Sequence, residues 1–194
     1  MDQPEISEAG LLLRPWRHSD ADVLVRGWAD PEIRRWGRYG AVLPSSEDVG
    51  QWVDWNHERW HFALRAGFAI CTADGDELVG AVMLRATGPS AMFEGRGEDT
   101  GEAGYWILPH WRGRGRATLA LGALSRWAFS PKAAGGLNLR RIELRHAVGN
   151  PGSCRVATKS GYAHEGTLRQ SFRYADGAWH DEHLHARLCG DPAP

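Results

Sequence analysis

Between Trp111 and Thr118 the chain reads Trp111-Arg112-Gly113-Arg114-Gly115-Arg116-Ala117-Thr118, and an apolar, alanine-rich run continues to Phe129. Such a loop in front of a helix is suited to anions. The first N–H groups of a helix have no intrahelical partner, and the helix dipole adds positive potential there. Gly113 and Gly115 let backbone approach a phosphate, and arginines add planar, bidentate donors. Ala117, Leu121, Leu124 and Ala128 recur at helical spacing, so the helix packs against a sheet and turns its N-terminus to the ligand. The Gly-Lys-Ser/Thr ending of a nucleotide-hydrolase loop is absent, and the glycine spacing is not that of the dinucleotide fingerprint. The competing readings are a solvated loop or a weak RNA-binding tract.

A second constellation is His57-Glu58-Arg59-Trp60-His61, which matches His-Glu-x-x-His. On a helix the two histidines share a face, and the glutamate would activate a metal-bound water as in a zinc peptidase. A third ligand is needed, and Glu77 and Glu94 are poor candidates in a hairpin and a loop. His183 and His185 fall on one strand face with Cys189 beyond, a place for adventitious metal or an ordinary exposed strand.

These residues sit in a chain of 194 residues with 42% apolar and 24% charged content, a formal charge of -1 and ten tryptophans. The size suits one domain, taken as 1–194 with a folded core over 9–190. Near-neutral charge excludes a surface built throughout for nucleic acid. Three unpaired cysteines imply a reduced, cytoplasmic setting. "MDQPEISEAG" lacks the apolar centre of a signal peptide, and no run is apolar enough to span a bilayer.

The elements follow from periodicity and punctuation. Leu11 to Trp16 reads as a strand that Pro15 helps to end. Ser19 and Asp20 supply cap chemistry for a helix, and Asp30-Pro31 opens a second that stops near Gly37 or Gly40. A third helix starts at Ser45 or Ser46 and carries Val49, Trp52, Val53, Trp60 and Leu64 on its apolar face. Two apolar runs flank a turn at Ala73-Asp74-Gly75-Asp76, and a Gly-rich polar loop follows. Glu102 to Leu108 is a strand ended by Pro109. Ile142, Leu144, His146 and Val148 alternate as the inner face of another strand. Asn150-Pro151-Gly152-Ser153 opens a helix that Gly161 closes, and the chain ends in a hairpin turning at Asp176-Gly177. This order predicts an α/β domain with a mixed sheet flanked by helices.

Arg112-x-x-Gly115-x-Ala117, set between "GYWILP" and a helix, resembles the coenzyme A signature of the GNAT N-acetyltransferases. The likeness extends to "LLLRPWRHSDADVLVRGWADPEIRRW" and "NPGSCRVATKSGY", which resemble the subgroup of ribosomal-protein N-terminal acetyltransferases. The resemblance implies a centrally splayed sheet and a direct acetyl transfer from acetyl-CoA, without a metal, to a primary amine of a protein or small molecule. Pro109 lacks an N–H, so pairing should fail beside it, and backbone at Ile107 and Leu108 would hold the pantetheine arm. One such N–H would face the thioester oxygen. The stretch Arg112, Gly113, Arg114, Gly115, Arg116, Ala117 and Thr118 would hold the pyrophosphate. Glu102 is the candidate base, through water, with a plain strand-end charge as its alternative. Many superfamily members carry a tyrosine where this chain has Ala157. Ser153 is therefore the candidate acid, with Asn150 orienting backbone or pantetheine, and a simple helix cap as the competing role of Ser153. Trp36, Trp52, Trp55, Tyr105, Phe172 and Tyr174 would wall the acceptor cleft, unless they are core. The partners implied are an amine acceptor and, through the exposed last strands, a second copy of the chain, with no nucleic acid and no membrane. A zinc peptidase and a non-catalytic acyl-CoA sensor are the alternatives.

Overall fold

A computed structural model of the chain describes residues 2–37, 45–61, 65–74, 77–86 and 99–194. The expectations on Gly40, Leu64, Gly75, Asp76, Glu94 and most of the Gly-rich loop fall outside these residues.

One sheet of eight strands runs in the order β1-β2-β3-β4-β5-β6-β8-β7. Its strands are β1 (Ile6–Glu8), β2 (Leu11–Arg14), β3 (Arg65–Thr72), β4 (Leu78–Ala86), β5 (Thr100–Ile107), β6 (Arg141–Ala147), β7 (Ala163–Arg173) and β8 (Trp179–Leu188). Its helices are α1 (Ala21–Ala29), α2 (Pro31–Trp36), α3 (Ser46–His61), α4 (Arg116–Phe129) and α5 (Pro151–Lys159). Strand β1 lies ahead of residue 9, so the folded core begins earlier than its hydropathy suggests: only Ile6 of Ile6–Glu8 is apolar, and the strand forms because β2 offers an edge. No helix among the described residues is long and apolar enough to cross a membrane.

Every strand pair is antiparallel except β5 with β6. That parallel ladder runs only from Thr100↔Arg141 to Ala103↔Leu144. Beyond it, β5 stays with β4 and β6 stays with β8. The sheet therefore opens between the last residues of β5 and of β6.

Strand alternation divides the core in two. Phe68, Ile70, Val82, Leu84, Ile107, Ile142 and Leu144 pack with Leu121 and Leu124 on the α4 and α5 face. Ala69, Cys71, Ala81 and Trp106 pack with Trp16, Leu24, Trp28, Val49 and Val53 on the α1 and α3 face. Val148 does not share the buried face of β6. It lies past the strand end and is 43% exposed. Asp20 is the N-cap residue of α1, but its side chain makes no cap bond. Its carboxylate instead accepts both terminal nitrogens of the buried Arg14 at 2.8 and 2.9 Å and the Arg17 N–H at 2.9 Å. A buried guanidinium outcompetes an exposed backbone donor, because leaving it unpaired costs more.

Candidate active site

The loop before α4 is held open by its own geometry. Gly113 and Gly115 have φ of 74° and 72°, the left-handed region that an L side chain enters at a cost. Gly115 caps α4 with no side chain bonded to the helix end. The first N–H to find a helical partner is that of Leu119, which donates to Gly115 O at 3.0 Å. The N–H groups of Arg116, Ala117 and Thr118 thus face outward, and a Cβ built at Gly113 or Gly115 would meet nothing within 4 Å. Open space, unpaired donors and a helix dipole coincide at this point.

The arginines do not act alike. Arg114 and Arg116 flank the Trp111 ring, their guanidinium carbons 5.3 and 5.4 Å from its centroid. Trp111 packs against both halves of the core and so fixes the loop to the sheet. Arg112 turns away from the loop mouth. Its Nε donates to Ile107 O at 3.0 Å, and its other end bonds Asp30. This guanidinium ties the loop to β5 and to the start of α2. Asp30 also caps α2, accepting the Ile33 N–H at 2.9 Å. Burial pushes the Asp30 carboxyl up, but the Arg112 and Ile33 hydrogen bonds outweigh it and hold the group below its usual range. A lowered folded pKa contributes stability above the ordinary carboxylate range, and that stability is lost as pH falls through the folded value. Asp30→Ala should therefore cost about 1–2 kcal/mol at pH 7, through cap and ion pair together, and much less in acid. Asp30→Asn keeps the cap and should lose only part of that. Urea melts of both variants at neutral and acid pH check this.

The backbone of β5 is only partly free. Leu108 N–H donates to Val79 O at 2.9 Å, so Leu108 does not offer the open donor expected of it. Pairing survives one residue before Pro109 because Leu108 lies on the β4 side of the alternating ladder. By the same alternation Ile107 and Tyr105 turn their backbone groups to the open side. Ile107 N–H remains the candidate donor, while Ile107 O accepts Arg112.

Ser153 is the third helical residue of α5, not its cap. Asn150 caps the helix, its Oδ1 accepting the Ser153 N–H at 3.1 Å. The Ser153 hydroxyl is therefore free of capping and meets the Tyr105 hydroxyl at 2.8 Å. Burial pushes the Tyr105 phenol up to about 12, against the Ser153 hydrogen bond that lowers it. Tyr105 therefore stays protonated at neutral pH. Ala157 is fully buried.

Glu102 occupies the opposite face of β5 from Tyr105. Its carboxylate accepts from Arg85, and the parallel register sets Glu143 beside it. Glu143 in turn accepts from Arg141 and Arg145 at 3.1 and 2.9 Å.

The six aromatics do not form one wall. Trp36, Tyr174 and Phe172 form a chain of edge contacts, with centroids 6.0 and 4.9 Å apart. Trp36 also reaches Gly149, whose Cβ would lie 3.3 Å from its ring, so this trio stands at the mouth of the splay. Trp52 belongs to the core instead, wedged against Trp16 and Trp28. Trp55 lies under Arg59 and Arg65. Tyr105 serves Ser153 on the other face. Beneath the trio lies Glu182, 2% exposed, which accepts from Tyr174 Oη at 2.9 Å and Ser171 Oγ at 2.8 Å. Glu182 carries no signal in the sequence, since an acidic pair such as Asp181-Glu182 in a strand reads as solvated.

His57 Nε2 lies 2.9 Å from Trp16 O and so carries the hydrogen of that bond, which removes it as a ligand atom. Glu77 lies beside His110. The side chain of His61 is outside the described residues.

Comparison with known proteins follows this geometry. A family model described as an acetyltransferase (GNAT) domain matches residues 10–163. The ribosomal-protein-serine acetyltransferase of Escherichia coli (strain K12) is 33% identical over 150 residues, covering 75% of this chain and 73% of that protein. A GNAT-family acetyltransferase structure from Bacillus anthracis superposes with a TM-score of 0.77 at 23% identity, over 97% of this chain and 100% of that one. A ribosomal-protein α-N-acetyltransferase in complex with coenzyme A superposes with a TM-score of 0.79 at 22% identity, over 95% and 98%. Neither the peptidase nor the sensor reading gains support from these likenesses.

Proposed function

This chain belongs to the GNAT acetyltransferase family and is an acetyl-CoA-dependent N-acetyltransferase, and from that premise we propose that it acetylates the α-amine of a protein N-terminus by direct transfer. A protein acceptor is supported by the name of the Escherichia coli relative, a ribosomal-protein-serine acetyltransferase, and the α-amine by that of the coenzyme A complex, an α-N-protein acetyltransferase. The observation that carries the reaction is the meeting of three things at the open end of β5: the uncapped start of α4, the Ile107 N–H and the Tyr105–Ser153 pair.

The N–H groups from Arg116 to Thr118 bind the pyrophosphate of acetyl-CoA, and Arg114 and Arg116 add charge. The Ile107 N–H stabilises charge developing on the thioester oxygen. The acceptor enters from the Glu102 face, past Trp36, Tyr174 and Phe172. Glu102 takes the amine proton through a water, and the neutral nitrogen attacks the carbonyl carbon. The C–N bond forms as the C–S bond breaks, and the excess proton left on the nitrogen passes through the same water to solvent. Ser153 gives its hydroxyl proton to the departing sulfur and is refilled by Tyr105, which recovers its proton from solvent. Asn150 holds Ser153 in the first turn of α5.

Glu102→Gln tests the base. At pH 7 its kcat/KM should fall about 10- to 100-fold. The loss should shrink as pH rises through about 8, where an α-amine is neutral without help. A deficit that stays constant across this range would assign Glu102 a structural role instead.

A further inference from the structure

Four potential metal ligands meet under α5, on the face of the sheet that carries Ser153. His146 comes from β6, His183 and His185 from β8, and Cys154 from α5. One ligand atom from each lies within 4.8 Å of all the others. The strand register builds the set. His146 pairs across to His183, and Leu144 to His185, so all three rings rise from one face, and Cys154 caps them from the helix.

Some of their ring nitrogens find no partner in the protein. His146 Nε2 and His183 Nδ1 are buried without a hydrogen-bond partner. Buried polar atoms of this kind call for an explanation, and an ion is one. The tautomer of His146 is also set for ligation. Its Nδ1 bonds Ala147 O at 2.8 Å and so carries the hydrogen, which leaves a lone pair on Nε2. His185 Nε2 lies 3.8 Å from Cys154 Sγ. Ligands around a tetrahedral zinc stand about 3.3–3.7 Å apart, so closing the set needs shifts on the order of 1 Å. His164 on β7 is exposed and meets His183 edge-on at the rim, centroids 4.8 Å apart, outside the four-atom set.

We propose that His146, Cys154, His183 and His185 bind one zinc ion that clamps the first turns of α5 to β6 and β8. Three imidazoles and a thiolate are a donor set for zinc, and four protein ligands leave no open position, which makes the site structural rather than catalytic. On binding, the Cys154 S–H bond breaks, the sulfur keeps the electron pair for the metal, and the proton passes to solvent. The clamp fixes Cys154, and with it the neighbouring Ser153. Metal binding stands apart from the acetyl-transfer reading and does not depend on it.

The test uses full-length protein stripped with a chelator. Cobalt(II) titration should give a 1:1 endpoint with a near-ultraviolet thiolate-to-cobalt band and the visible bands of a tetrahedral ion, and zinc should displace it. Zinc should also raise Tm. Cys154→Ser should abolish the near-ultraviolet band and weaken zinc binding at least about 100-fold, as should His185→Gln, whereas His164→Ala should stay within about threefold. Equal Tm of Cys154→Ser and wild type in chelator shows that the variant folds. A missing cobalt band, a band that survives Cys154→Ser, or a Tm indifferent to zinc would overturn the proposal.

Discussion

Ser153→Ala lowers kcat about 10- to 100-fold and leaves KM for acetyl-CoA within about a factor of two. The reason is the division of labour in α5. Asn150 caps the helix and Ser153 does not, so removing the hydroxyl leaves the fold of the turn intact. What is lost is a proton donor to the departing sulfur. The effect stays at the low end of general-acid catalysis because a thiolate, of pKa about 8.5, leaves readily. Tyr105→Phe keeps the ring and loses the donor behind Ser153, so it should show a smaller fall of the same kind. The two losses should not add, since the hydroxyls act through one hydrogen bond. Initial rates by thiol release, with acetyl-CoA varied at saturating acceptor, check this. Unchanged kcat in Ser153→Ala would give the acid role to water.

Gly115→Trp abolishes measurable acetyl-CoA binding, a loss of at least about 100-fold in Kd. Two effects combine. A side chain at φ 72° costs about 1–2 kcal/mol in backbone strain. The indole also fills the space into which the phosphate must come, which is open around Gly115. Gly115→Ala separates them, since it carries the strain with little obstruction. Its stability should fall by about 1 kcal/mol while acetyl-CoA still binds. Equal affinity in Gly115→Trp and wild type would remove the loop from the cofactor site.

The contrast between these two sites explains what could be read in the chain. The α4 loop is local: left-handed glycines, a helix start and its charges occur within a few residues, so its geometry follows from spacing. The Asn150 cap and Pro151 are equally local. The Tyr105–Ser153 bond joins residues 48 apart, and only the splay of β5 from β6 brings them together. Strand parity decided the aromatics. Tyr105 and Trp106 are neighbours in sequence but face opposite halves of the core. Trp52 looks the same as Trp36 in composition, yet one packs on Trp16 and the other reaches Gly149. Arg112 carries a charge suited to phosphate, and its use on Asp30 depends on where α2 crosses the loop. The histidine cluster left one trace, the alternation of His183 and His185, because its other members come from β6 and α5.

Calorimetric titration of the wild-type protein with acetyl-CoA, with adenosine diphosphate as control, tests the central claim most directly. The account predicts one site per chain with micromolar affinity, about 8 kcal/mol, and weaker binding of the diphosphate, which lacks the pantetheine arm. No binding of acetyl-CoA, or equal binding of the two, would contradict the assignment of the open end of β5 and the start of α4 as the cofactor site.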